Sequence, residues 1–138
     1  MAGPGPTASR VATGCTAVAA AGVMLNAVVH LDLYIVDGFR DIDVIGPLFL
    51  VNAVAGLVIG VIMLVWRHWL PLIAAIGFSL ATFVAFWISV IWGLFGIKEI
   101  ADGAPQILSM AAEIVAILAA LVALVTGRSG DTRVRPVR

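Results

Sequence analysis

The tightest constraint on this chain is where its charges are absent. Charged side chains occur at Arg10, between Asp32 and Asp43, at Arg67, between Lys98 and Asp102, at Glu113, and from Arg128 onward. Four apolar runs lie between them, at about 11–29, 45–66, 70–93 and 105–127. A helix rises about 1.5 Å per residue, so about 20 residues cross a hydrocarbon core roughly 30 Å thick. Each run is near that length. A bilayer interior offers no water to unpaired backbone N–H and C=O groups, so such runs must be helical. They do not alternate apolar with polar residues, which excludes the strands of a transmembrane barrel. The predicted fold is all-α: a polytopic membrane protein with four transmembrane helices in an up-down-up-down bundle.

Composition agrees. The chain is 62% hydrophobic and 12% charged, against roughly 45–50% and about 25% in soluble domains. Disorder of the whole chain needs low hydrophobicity and is excluded as well. Eight basic and eight acidic residues cancel, so no net field recruits nucleic acid. The single Cys15 rules out an internal disulfide or a multi-cysteine metal site; it reads as a small packing residue. No nucleophile elbow, zinc-protease, Walker or dinucleotide motif is present. The expectation is a chain that is not an enzyme, with no cofactor and no metal. His30 and His68 fall at opposite ends of the bundle, which disfavours one haem held by both.

Three segments follow: a disordered tail over 1–10, a membrane domain over 11–127, and a basic tail over 128–138. The first run reads as a span rather than a cleaved signal peptide, because its apolar stretch continues through Val28 and Val29. Arg10, Arg67, Arg128, Arg133, Arg135 and Arg138 fall on one side, and only Arg40 and Lys98 on the other. Basic residues favour the cytoplasm, so the expectation is a cell-membrane protein with both termini cytoplasmic. The short link through Arg67, His68 and Trp69 predicts that spans two and three are close antiparallel neighbours. Trp66, Trp69, Trp92 and Tyr34 read as interfacial anchors. The 30–44 stretch reads as an acidic outer loop whose apolar residues form a half-buried lid.

Helices surrounded by lipid associate through close packing and hydrogen bonds. Gly56 and Gly60 form a GxxxG pair; Ala112, Ala116 and Ala120 recur every four residues; Gly14, Val18 and Gly22 do the same. These seams support packing, within the chain or against a partner. Glu113 is the one charged residue inside a span, about 12 Å below its outer end. An Asp at a membrane centre costs roughly 2.5–3.5 kcal/mol on insertion scales. Glu113 is thus either an uncharged structural carboxyl or a working group. Asn26, His30, Asn52, Ser89 and Ser109 gather at its level. Gly22, Asn26 and His30 share a face by four-residue spacing, as do Asn52, Gly56 and Gly60, and Ser109 with Glu113. Side chains lean toward their own helix amino terminus, which brings Asn26, His30, Asn52 and Glu113 toward one outward-facing polar pocket, with Ser89 and Ser109 beside it.

His30, Leu31 and Tyr34, with Ile45 to Leu50 and Asn52, resemble small four-helix membrane proteins of high-GC Gram-positive (actinobacterial) bacteria. That resemblance implies the same fold and a cell-membrane location, and no mechanism. Three functions are expected in descending order. The first is a non-catalytic subunit or assembly factor, whose partners are the lipid bilayer and another membrane protein or a second copy. Next comes a proton-coupled carrier or exporter using Glu113. The third is a lipid- or quinone-binding membrane protein.

Overall fold

The computed structural model describes residues 6–128, most of them in four helices: α1 (Pro6–Ile35), α2 (Ile45–Val65), α3 (Trp69–Ile91) and α4 (Ala104–Arg128). All four are long and apolar enough to cross a membrane. Among the described residues no strand is present, only an isolated bridge between Leu94 and Ile97. The chain is an all-α, four-helix membrane protein. Residues 1–5 and 129–138, with Arg133, Arg135 and Arg138 of the basic tail, lie outside the described residues.

Helix α1 overruns its expected limits at both ends. It starts inside the presumed tail, at Pro6; proline suits a first turn because its missing N–H has no partner to lose. It also continues through the presumed loop to Ile35. Val29 and Leu33 carry its buried face onward, while Asp32 is exposed on another face. No helix breaker intervenes until Gly38, which adopts a left-handed φ of 77°. His30, Leu31 and Tyr34 are therefore helical, and the loop shrinks to 36–44. Arg10 and Asp32 stand about 33 Å apart along the axis at 1.5 Å per residue, close to the thickness of a hydrocarbon core.

The shortened loop folds as a 3-10 turn (Phe39–Asp41) seated on the start of α2. Phe39 stacks on Phe49 with ring centroids 4.7 Å apart. Gly46 permits this seating. A Cβ there would lie 2.8 Å from the carbonyl oxygens of Phe39 and Arg40.

Helix α1 is the hub, packed along α4 and along α2; α3 packs on α4. Small residues draw these pairs together. A Cβ on Gly22 would lie 2.8 Å from the Ala112 carbonyl oxygen and 3.1 Å from the Ala116 Cβ. A Cβ on Gly56 would lie 2.9 Å from Ala27 Cβ, and one on Gly60 would lie 2.5 Å from Met24 Cγ. Ala112, Ala116 and Ala120 are all buried. The seams are thus used inside the monomer. Gly14 and Val18 depart from their expected stripe: Gly14 faces open space and Val18 is exposed. Each four-residue step turns a helix about 400°, so the stripe drifts by roughly 40° per step and leaves α4 behind.

The expected closeness of α2 and α3 is also corrected. The 66–68 link is short, yet these two helices meet only lightly. Glycines pull α2 onto α1, whereas α3 turns the large rings of Phe78 and Phe86 toward the space beside α2. A cleft remains between them.

Candidate functional site

That cleft holds a cavity of about 370 Å³ at the end of the bundle remote from the termini. The volume falls within the roughly 300–1,000 Å³ typical of small-molecule sites. Helices α2, α3 and α4 supply most of its wall, with His30 and Leu33 from α1. Leu48, Val51 and Ala81 line it and are also exposed on the outside of the bundle. The cavity therefore opens sideways, where lipid tails would stand.

Its end is closed by the connection between α3 and α4. Phe95 and Gly96 both have positive φ, 49° and 85°. Such a pair makes a tight two-residue turn. Leu94 and Ile97 pair across it through backbone hydrogen bonds of 2.7 and 3.0 Å, and both line the cavity. Ser89, expected among the polar cluster, donates its hydroxyl to the Ile97 carbonyl at 3.1 Å. Its role is to tie this turn to α3.

The remaining polar residues sort into a seam and a wall. Asn26 is fully buried, and it does not line the cavity. It follows Gly22 by four residues, so it sits in the α1–α4 seam that Gly22 closes. There its Oδ1 accepts the hydroxyl proton of Ser109. This is the one member of the expected pocket that the fold places behind the wall. The Ser109 hydroxyl also neighbours the Glu113 carboxyl one turn further along α4. His30 Nδ1–H donates to the Asn26 backbone carbonyl at 3.0 Å, and its ring packs on Phe49 at a centroid distance of 5.0 Å. The histidine thus belongs both to the wall and to the aromatic cap formed by Phe39 and Phe49.

Three polar wall residues, Thr82, Glu99 and Gln106, are not among the expected site residues. Thr82 accepts Asn52 Nδ2 at 2.8 Å and passes its own proton to the Phe78 carbonyl at 3.0 Å. A signal existed: Asn52 needs a partner, and α3 offers few polar side chains at mid-depth. Gln106 lies three residues before Ser109 and seven before Glu113, the spacing of one helix face. Glu113 is 1% exposed and lines the cavity. Three oxygen atoms of wall residues are buried without a hydrogen-bond partner: Asn52 Oδ1, Gln106 Oε1 and Glu113 Oε2. The rest of the wall is predominantly apolar, with Ile45, Phe78, Phe86 and Met110 prominent. Among the described residues no three His, Cys, Asp or Glu side chains converge as a metal site requires.

No family model, curated protein or solved structure matches this chain. The fold and the site define its class: a four-helix multi-pass membrane protein with an apolar, side-opening cavity.

Proposed function

We propose that this protein is a non-catalytic membrane protein that holds an apolar molecule, lipid-like or quinone-like, in the cleft between α2 and α3. The observation that carries the reading is the cavity wall, predominantly apolar, with three buried oxygens that have no partner. Lipid tails are as apolar as leucine, so a hydrocarbon gains little by leaving them for this wall. Selection must come from the polar atoms. A buried polar atom without a partner costs about 1–3 kcal/mol, and a ligand head that pairs with these oxygens recovers part of that. A proton-linked exporter would need water at Glu113, and the apolar wall gives that reading less support. Arg10 and Arg67 at one end favour the cytoplasmic placement of that end.

A second reading is an interaction subunit. Gly77 lies on an exposed face of α3 with nothing within 4 Å of a Cβ built there, which leaves room for a partner helix to approach closely. One measurement separates the two. The protein is extracted from its native membrane in mild detergent and weighed intact by native mass spectrometry. The expected result is a monomer or small oligomer carrying a small apolar adduct. A discrete assembly with another chain and no adduct would overturn the binding reading in favour of the subunit.

A further inference from the structure

The hydrogen-bond network around the cavity fixes what kind of polar end a ligand needs. Thr82 gives its one proton to the Phe78 carbonyl, so it can only accept from Asn52. Asn52 must then turn Nδ2 toward Thr82, which leaves Oδ1 as its free atom. Ser109 gives its one proton to Asn26 Oδ1, so toward Glu113 it too can only accept. An ionised Glu113 has two acceptor oxygens, and a protonated one keeps Oε2 as an acceptor when its proton sits on Oε1. Gln106 has a third unpartnered oxygen, packed against Gly103, with its Nε2 donor beside it. The buried unpartnered side-chain atoms of the wall are all acceptors. Among the described residues the buried donor groups without a partner, Asn26 Nδ2 and the Ser79 hydroxyl, belong to residues that do not line the cavity.

From this arrangement we infer that the cavity takes an apolar molecule whose polar end donates hydrogen bonds, a hydroxyl or an ammonium group, and discriminates against ends that only accept. A quinol or a long-chain alcohol or amine can donate to Asn52 Oδ1, and the matching quinone or ketone cannot. The inference rests on the binding reading above and narrows it to one chemistry. Hydroxyl and ammonium heads share that chemistry, and Glu113 tells them apart. Glutamine in its place keeps an acceptor oxygen and removes the charge at that position, leaving Glu99 as the other carboxyl side chain of the wall.

The test is an affinity panel on the full chain in lipid nanodiscs, with an alcohol, a ketone and a primary amine on the same hydrocarbon skeleton. In the wild type, the alcohol or the amine is expected to bind at least about tenfold more tightly than the ketone. Asn52→Leu is expected to shrink that preference. In Glu113→Gln, affinities for alcohol and amine that both hold would identify a hydroxyl ligand, and an amine affinity that falls about tenfold or more while the alcohol's holds would identify an ammonium ligand. Equal affinity of all three in the wild type would overturn the donor inference and leave the binding reading intact. No saturable binding of any of them would overturn both. The decisive comparison uses the unmodified protein, so a variant that misfolds does not blur it.

Discussion

Gly22→Leu is expected to destabilise the bundle severely, by about 1–3 kcal/mol or more, whereas Gly14→Leu on the same helix is expected to be neutral or mildly stabilising. The contrast follows from what each side chain would meet. At Gly22 even a Cβ lies 2.8 Å from the Ala112 carbonyl oxygen. That oxygen is backbone, so it cannot swing aside as a side-chain tip would. Overpacking of this kind typically costs about 1–3 kcal/mol, occasionally more. The shift would also disturb Asn26 and its bond to Ser109, one turn further along α1. At Gly14 nothing lies within 4 Å, and leucine is a better helix former than glycine by up to about 1 kcal/mol. Unfolding of each variant in a graded mixture of mild and denaturing detergent reads the difference. Equal loss at both positions would show that α1 and α4 do not pack through Gly22.

The second large effect is on binding. Ala85 lines the cavity and is only half buried, so a larger side chain there has empty space to enter. Ala85→Phe is expected to lower ligand affinity at least about tenfold while leaving detergent stability close to wild type. Ala55→Phe, on the opposite wall in α2, is expected to do the same. Two blocking substitutions on different helices guard against a local artefact. Wild-type affinity in both variants would place the binding site elsewhere.

How much of this was legible in the sequence differs between levels. The four helices were readable because lipid leaves the backbone no other way to pair its polar groups. The end of α1 was not. Asp32 looks like the start of a loop when charge alone is read, but one exposed charge on a helix whose Val29 and Leu33 remain buried does not stop it. Residue spacing put the polar groups at one level, and His30, Asn52, Ser89, Ser109 and Glu113 line one cavity. It could not tell the wall from the seam. Asn26 and Asn52 both stand four residues from a glycine, yet one glycine closes on α4 and the other lies between α1 and Phe78 of α3. That difference is set by which helices pack together. The cavity itself arises from the splaying of α2 from α3, which their short link conceals. Thr82 was missed for the same reason: its pairing with Asn52 crosses that cleft.

The central claim is that an apolar molecule occupies this cleft. The most direct measurement is photolabelling of the protein in nanodiscs with a long-chain alcohol carrying a diazirine, followed by peptide mapping across a range of unlabelled competitor. The expected result is saturable labelling confined to cavity residues of three helices, such as Leu48, Phe86 and Met110, and abolished in Ala85→Phe. Labelling that spreads evenly over exposed positions such as Val18, Leu25 and Val28 of α1, and that competitor does not displace, would contradict it.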